Sequence, residues 1–173
     1  MTLETERFRL RPLGAADATE RYRSWFNAET ARMGIASARS QPSLEELREF
    51  IVERAGRPEV LFLGIFARQT GEHIGNIKYE PIDRAERFAV MGILLGEKSW
   101  WGKGVTAEVL RATARWLAEN CGTREIVLGV MKDNQLARRS YEKVGFRRRD
   151  TSRIRIDPRI HDAMVWRLDE IAP

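Results

Sequence analysis

The chain has 173 residues, 43% of them hydrophobic and 32% charged, with a formal net charge of +5. This length predicts a single domain, residues 1–173, with enough apolar side chains to form a buried core. The lack of an 18-residue apolar run excludes a transmembrane helix, and the single cysteine, Cys121, excludes an internal disulfide, so we expect a cytoplasmic protein.

The first predicted elements are a short strand and a short helix. Phe8–Arg11 alternates apolar and charged side chains, which is typical of a half-exposed strand. Asp17 is placed to cap the helix that follows. The apolar positions of that helix are Tyr22, Trp25 and Phe26.

A second helix is predicted after an irregular segment. Glu29 to Gln41 has no clear period and is interpreted as a loop. Ser43 followed three residues later by Glu46 is the capping-box pattern, which predicts that a helix begins there. Gly56 and the proline after it end this helix.

The middle of the chain predicts an antiparallel meander of three strands. Apolar runs at Val60–Ala67 and Ile74–Tyr79 flank a turn at Thr70–Gly71. A second turn at Pro81–Asp83 leads to the strand Phe88–Leu95.

The second half predicts the only βαβ unit. Apolar residues from Ala107 to Leu117 recur at helical spacing, and the run Glu125–Val130 reads as a buried strand. A right-handed crossover would make that strand parallel to Phe88–Leu95. A helix at Gln135–Val144 follows, and the chain ends with strands from Phe146 onward and at Met164–Leu168.

A glycine-rich turn lies between the strand Phe88–Leu95 and the helix of the βαβ unit. Gly102 and Gly104 permit φ > 0 and close backbone approach, and Lys103 adds a cation. The first N–H groups of a helix have no intrahelical partner and attract anions. The turn therefore indicates a phosphate site, although a plain tight turn would have the same residues.

Two nucleotide-binding templates can be tested on this turn. The Walker A pattern fails, because Gly102-Lys103 is followed by Gly104. The dinucleotide pattern formally fits Gly102, Gly104 and Ala107. An antiparallel meander before the turn, and Val130 where an acidic residue would bind a ribose, make this alternative the weaker one.

Positive charge is concentrated late in the chain, which makes nucleic acid a candidate partner. No zinc-ligand spacing, recognition-helix pattern or RNP-like aromatic pattern accompanies it. We interpret the cluster as a solvated face or as a rim that attracts an anionic small molecule. The residues are Arg147, Arg148, Arg149, Arg153, Arg155 and Arg159.

Two motifs together resemble the GNAT superfamily of acyl-CoA N-acyltransferases, and within it the branch of ribosomal-protein N-terminal acetyltransferases. The first is Trp101–Thr106, similar to the family's pyrophosphate turn, with Trp101 in place of arginine or glutamine and Thr106 in place of a small residue. The second is Asn134–Phe146, in which Ala137 replaces the family's serine.

The resemblance implies a single-domain α/β (α+β) fold with a mixed, mostly antiparallel sheet flanked by helices. The sheet would splay between the strands ending near Gly96 and Val130, and pantetheine would lie in that gap. Leu94 and Gly96 would offer main-chain groups, and an N–H near Leu94 would stabilise the oxyanion. Tyr141 matches the family's acid that protonates the leaving thiolate.

The resemblance also implies acetyl-CoA as co-substrate and a set of residues that bind it. Asn134 would cap its helix and also reach the cofactor. The predicted binding residues are Leu94, Leu95, Gly96, Trp101, Gly102, Lys103, Gly104, Val105, Thr106, Ala107, Asn134 and Tyr141.

The predicted function is acetyl transfer from acetyl-CoA to a primary amine, on a small molecule or a protein N-terminus, by direct attack. Glu29, Glu80, Asp83 and Glu86 are weak candidates for the general base, while His73 and the other histidine read as surface or structural residues. The alternative is a non-catalytic acyl-CoA-binding module on the same fold. A homodimer is left open, and neither a membrane nor nucleic acid is expected as a partner.

Overall fold

The computed structural model of this protein describes residues 1–29 and 41–168. Over these ranges eight strands form one sheet in the order β1-β2-β3-β4-β5-β6-β8-β7. The strands are β1 (Leu3–Glu4), β2 (Phe8–Pro12), β3 (Leu61–Ala67), β4 (His73–Asp83), β5 (Phe88–Leu95), β6 (Glu125–Met131), β7 (Arg147–Arg148) and β8 (His161–Arg167).

Helices flank this sheet. The α-helices are α1 (Glu20–Ser24), α2 (Leu44–Val52), α3 (Val105–Cys121) and α4 (Gln135–Glu142). All strand pairs are antiparallel except β5 with β6, which are parallel and joined by α3. The predicted fold class, a mixed and mostly antiparallel sheet with flanking helices, is confirmed.

The two faces of the sheet are covered by different helices. On one face α3 presents Val109, Leu110 and Leu117 to the main core, all without solvent exposure. On the other face α1 and α2 form a second cluster, with Tyr22 and Leu47 among its buried side chains. Alternation along the strands makes this possible, because successive side chains point to opposite faces.

The capping box at the start of α2 is confirmed. The Ser43 hydroxyl accepts from the Glu46 N–H at 3.2 Å, and the Glu46 carboxylate accepts from the Ser43 N–H at 2.7 Å. The loop predicted at Glu29 to Gln41 falls almost entirely on residues 30–40, outside the described part of the chain.

The predicted cap of α1 is wrong. Thr19, not Asp17, accepts from the Tyr22 N–H, at 3.2 Å. Asp17 instead pairs with Arg11 at 2.7 Å and accepts from the Gly14 N–H. A nearby arginine on β2 holds the carboxylate in the preceding turn, a contact that local sequence does not reveal.

The predicted turn at Pro81–Asp83 is also wrong. Strand β4 continues to Asp83, with an irregularity in its register to β5 between Tyr79 and Ile82. Ile82 regains a partner in Ala89, so the reversal of the chain falls between Asp83 and Phe88. A proline is tolerated inside the strand because it lies at this irregularity.

No helix in residues 1–29 and 41–168 is long and apolar enough to cross a membrane.

Candidate functional site

The parallel strands β5 and β6 separate after three residue pairs. Phe88–Val90 pairs with Glu125–Val127, and the rest of β5 has no register partner in β6. Strand β6 pairs with β8 over its whole length instead. The result is a wedge-shaped gap between Met91–Leu95 and Leu128–Met131, the splay predicted from the sequence.

The register decides which main-chain groups of β5 face this gap. The Gly96 N–H donates to the Ile74 carbonyl in β4 at 3.0 Å, and Leu94 lies opposite Asn76 in the same ladder. Because an antiparallel strand turns alternate residues to one neighbour, Leu94 and Gly96 bond to β4. The main-chain groups that point into the gap are those of Ile93 and Leu95, one residue away from the predicted ones.

Gly96 has a packing role at the edge of the site. A Cβ atom on it would lie 2.0 Å from Cδ2 of Trp25, so the Trp25 ring occupies the space that any side chain would need. The Trp25 indole N–H in turn donates to Glu97 at 3.0 Å. Next to this contact, the Leu95 carbonyl accepts from Nε1 of Trp101 at 2.8 Å.

The turn before α3 has the geometry of an anion site. Gly102 and Gly104 adopt φ of 71° and 76°, values that favour glycine, and Gly104 is the N-cap of α3. The first intrahelical bond runs from the Glu108 N–H to the Gly104 carbonyl, so the N–H groups of Val105 to Ala107 precede it. Those groups and the helix dipole favour a negatively charged ligand.

Polar contacts from the N-terminal segment hold this turn in place. Arg7 pairs with Glu108 at 2.7 Å and its Nη1 donates to the Lys103 carbonyl at 2.9 Å. The Thr5 hydroxyl donates to the same carboxylate at 2.6 Å. Burial acts to raise the pKa of Glu108, but the hydrogen bonds from Thr5 and Arg7 hold it below its ordinary value.

A small cavity of about 90 Å³ lies between this turn, β5 and α4. Seven predicted binding residues line it: Leu94, Leu95, Trp101, Gly102, Thr106, Asn134 and Tyr141. Five others do not: Gly96, Lys103, Gly104, Val105 and Ala107. The sequence analysis missed Ile93, Leu136, Ala137 and Ser140, three of which recur with Tyr141 at the helical spacing of α4.

A larger cavity of about 500 Å³ adjoins the small one. The two share four lining residues, Ile93, Leu94, Asn134 and Tyr141, so they adjoin at the gap. The larger cavity extends across β4 and β5 toward α1 and α2, whose aromatic side chains form its far wall.

The family model of the acetyltransferase (GNAT) domain matches residues 7–147. The chain belongs to the GNAT acetyltransferase family. This match confirms the resemblance predicted from the two motifs, and together with the observed sheet order it excludes the dinucleotide-binding alternative. The protein is therefore an N-acetyltransferase.

Solved GNAT structures share the fold of this acetyltransferase. A GNAT-family acetyltransferase from Bacillus anthracis is 18% identical, with a TM-score of 0.78 and coverage of 98% of this chain and 100% of that one. RimL, the ribosomal L7/L12 α-N-protein acetyltransferase, in complex with coenzyme A, is 17% identical with a TM-score of 0.80 and covers 96% of both chains. Spermidine N-acetyltransferase from Vibrio cholerae, in complex with CoA and spermine, is 19% identical with a TM-score of 0.77, covering 95% of this chain and 97% of that one. The search of curated proteins found no match.

Asn134, the N-cap of α4, and Tyr141 on α4 both line the two cavities. Asn134 caps α4, its Oδ1 accepting from the Ala137 N–H at 3.1 Å. The Tyr141 ring packs on Phe146, with centroids 5.7 Å apart. Within the described residues the Tyr141 hydroxyl makes no hydrogen bond, and burial raises its pKa to about 12. The Tyr141 hydroxyl is therefore protonated at physiological pH.

None of the four base candidates lines either cavity. Asp83 and Glu86 belong to the hairpin at the paired end of β5, and Glu29 forms an ion pair with Lys98. Glu80 pairs with Lys78 at 2.8 Å and with an arginine of the α2 segment at 3.0 Å. Burial acts to raise the pKa of Glu80, but these cations hold it below its ordinary value.

The late basic segment is partly neutralised by its own neighbours. Arg153 pairs with Glu125 at 2.8 Å, Arg148 with Asp162 at 3.2 Å, and Arg159 with Asp157 at 2.8 Å. These pairs fit the interpretation of the segment as a solvated face.

Proposed function

We propose that this protein transfers the acetyl group of acetyl-CoA to a primary amine, on a small molecule or a protein N-terminus, by direct attack. The observation that supports this most strongly is the arrangement of the two adjoining cavities along one line. That line runs from the N-terminus of α3, past the main chain of β5 that β6 leaves unpaired, to Tyr141 and the larger cavity. We infer one acetyltransferase domain over residues 1–173, since β8 completes the same sheet.

In this proposal the co-substrate follows the small cavity. The pyrophosphate binds the unpartnered N–H groups at the start of α3, where φ > 0 at Gly104 lets the chain begin the helix. Pantetheine lies along β5 as an added strand and pairs with the main chain of Ile93 and Leu95. Asn134 and Trp101 line its path.

The chemistry needs a neutral amine, an oxyanion donor and an acid. The amine comes from the larger cavity and attacks the thioester carbonyl, whose oxygen gains charge. A main-chain N–H of β5 that faces the gap, from Ile93 or Leu95, stabilises that charge. The C–S bond then breaks and the Tyr141 hydroxyl protonates the departing thiolate. The proton of the new amide nitrogen leaves through the open cavity to water, and water returns a proton to the Tyr141 oxygen.

Acetyl-CoA binding tests the first half of this proposal. Acetyl-CoA at one hundred times its dissociation constant should stabilise the protein by about 2.7 kcal/mol, read as a rise in melting temperature, while NADH should give no comparable rise. Gly104→Val should remove most of the shift. Gly56→Val is the matched control, because Gly56 has φ of 75° with no atom within 4 Å of a Cβ. An unchanged shift in Gly104→Val would move the site away from this turn.

Turnover tests the second half. Release of free CoA from acetyl-CoA should depend on an added primary amine when a panel of amino-acid amides, arylalkylamines, amino sugars and N-terminal peptides is screened. Ligand binding without turnover of any amine would favour the non-catalytic acyl-CoA-binding module. Membership of an acetyltransferase family favours the catalytic function over the non-catalytic one.

A further inference from the structure

Asn76 carries an unpaired amide in the wall of the larger cavity. The residue is 3% exposed and lines the cavity from β4. Its Oδ1 lies 2.7 Å from Nε2 of His73, while its Nδ2 makes no hydrogen bond of good geometry among the described residues, although the Tyr22 hydroxyl lies close to the amide. A buried N–H group without a partner is costly, so a group that supplies an acceptor there gains a strong hydrogen bond.

His73 fixes the orientation of this amide. Its ring stacks on Phe66 with centroids 4.6 Å apart and meets the edge of Trp25 at 4.8 Å. Burial lowers the pKa of His73, so the ring is neutral at physiological pH and remains packed against these two aromatic rings. In the tautomer of His73 that carries its proton on Nε2, this N–H donates to Oδ1 of Asn76, and Nδ2 is the atom left for a ligand.

The other residues that line the larger cavity limit the chemical class of acceptor that it can bind. Lys78 lies two residues along β4 and lines the same cavity, as expected for one strand face. Among the described lining residues Glu46 is the only carboxylate, and it already accepts the N–H of Ser43. The remaining wall is dominated by rings and apolar chains, with Tyr22, Phe26, Phe50 and Phe62 on the side away from the gap.

The position of Asn76 brings it near the reaction. Asn76 lies opposite Leu94 in the β4–β5 ladder, and Leu94 lines both cavities. Neighbouring strands are about 4.8 Å apart, so the free amide lies about one strand from the gap. An acceptor that lies over β5, with its amine at the edge of the gap, therefore places a neighbouring carbonyl against Asn76.

We propose that Asn76 is a specificity-determining residue whose Nδ2 donates a hydrogen bond to a carbonyl oxygen of the acceptor. It selects a compact primary amine that carries a carbonyl close to the amine and an aromatic or bulky apolar body. A polyamine is disfavoured, because one carboxylate already engaged in a helix cap cannot neutralise several ammonium groups. This inference rests on the proposed acetyltransferase function.

The test compares acceptors that differ in one carboxamide group. Each kcat/KM is referred to the concentration of the neutral amine, because the carboxamide also lowers the pKa of the amine beside it. Phenylalaninamide and 2-phenylethylamine share the amine and the ring, and spermidine represents polyamines. With the parent protein, kcat/KM for phenylalaninamide should exceed that for 2-phenylethylamine by about tenfold, which is the effect of one hydrogen bond. Asn76→Asp, which exchanges the donor for an acceptor, and Asn76→Leu should each bring the ratio close to one.

Two controls separate this role from a structural one. Asn120→Asp makes the same exchange on the exposed side of α3, where Nδ2 donates to the Trp116 carbonyl, and should keep the parent ratio. The Tyr22 hydroxyl also approaches the Asn76 amide. If the amide served only to hold that hydroxyl, Tyr22→Phe would reproduce the loss, and we expect that it does not. The acetyl-CoA melting shift reports whether each variant is folded.

The outcomes distinguish the inference from the function beneath it. No CoA release with any amine would overturn the proposed function and this inference with it. CoA release that shows no preference for the amide, keeps that preference in both Asn76 variants, loses it in Tyr22→Phe, or is fastest with spermidine would overturn the inference alone.

Discussion

Tyr79 and Tyr141 are both tyrosines with pKa values raised by burial, yet they lie in regions of opposite character. Tyr79 points from β4 into the α3 core and its hydroxyl lies 2.7 Å from the Thr113 hydroxyl. Since the Thr113 proton is directed to the Val109 carbonyl at 2.9 Å, Tyr79 is the donor. Tyr141 faces the gap and has no such partner within the described residues.

The contrast between the two tyrosines distinguishes side chains that pack the core from side chains that face the cavities. Most polar groups buried in a protein core are paired, because an unpaired one lowers stability. Around the gap two polar groups, the Tyr141 hydroxyl and Nδ2 of Asn76, face a cavity without a hydrogen bond from the described residues. Among the same residues Thr123, Arg138 and His161 each keep one unpaired buried atom as well, but none of them lines a cavity, so an unpaired polar group together with a cavity marks the functional side of the sheet.

The sharpest way to break this comparison is Tyr141→Phe. The change keeps the ring against Phe146 and removes only the hydroxyl, so kcat should fall by about 10²–10⁴-fold, the usual contribution of general acid catalysis. Acetyl-CoA binding and the melting temperature should change little. A kcat within about threefold of the parent, below the lower end of that range, would make Tyr141 a packing residue.

The pH profile of the parent refines the same prediction. The neutral hydroxyl is the active form, and its pKa is raised to about 12. Activity that depends on it is therefore present below that value and lost only as the pH rises through it. An alkaline fall in kcat at or below about pH 10, the ordinary tyrosine range, must come from another group and should persist in whatever activity Tyr141→Phe retains.

The matched change on the core side is Tyr79→Phe. It removes one donor from a buried pair, while Thr113 keeps its bond to the Val109 carbonyl. The free energy of unfolding should fall by about 1 kcal/mol, and the melting temperature by about 2–4 °C for a chain of this length. Urea denaturation and steady-state kinetics check it: a drop in kcat comparable to that of Tyr141→Phe would erase the distinction between the two regions.

The smallest effect is expected at Glu108, whose contact with Arg7 is structural although it lies beside the phosphate turn. Glu108→Gln should lower the free energy of unfolding at pH 7 by less than about 1 kcal/mol, since the Arg7 side chain is partly exposed and screened. The pKa of Glu108 is held below 4.5, so its stabilisation is full above that pH and is lost as the pH falls further. Chemical denaturation of the parent and of Glu108→Gln should show a smaller difference in the free energy of unfolding at pH 3 than at pH 7. A difference that grows on acidification contradicts the stabilising role of the Arg7–Glu108 pair.

Local patterns in the sequence were sufficient for several parts of the site. The glycines at 102 and 104 predicted a turn with φ > 0 at a helix start, and both adopt it. Ser43 and Glu46 predicted the start of α2 for the same reason, because a cap depends on residues three positions apart. Asn134 was placed as a cap by the same logic, and it accepts the Ala137 N–H.

Contacts between distant parts of the chain were beyond such patterns. Arg7 and Glu108 are 101 positions apart, and nothing in either neighbourhood predicts their pairing. The side of β5 that faces the gap depends on its register with β4, and a shift of one residue exchanges Leu94 for Ile93 and Leu95. The four base candidates were chosen by position along the chain, and the fold directs all of them away from the cavities.

The sequence by itself determined the family, the order of the elements, the glycine turn with φ > 0 before α3 and the presence of Tyr141 on the helix that follows β6. Each of these depends on residue type and short spacing, which act through local backbone geometry. Only the tertiary structure decided which main-chain groups line the gap, and that the Asn76 amide faces the adjoining larger cavity. Those features follow from strand register and from side chains that meet across the sheet, and their energies depend on neighbours far away in the chain.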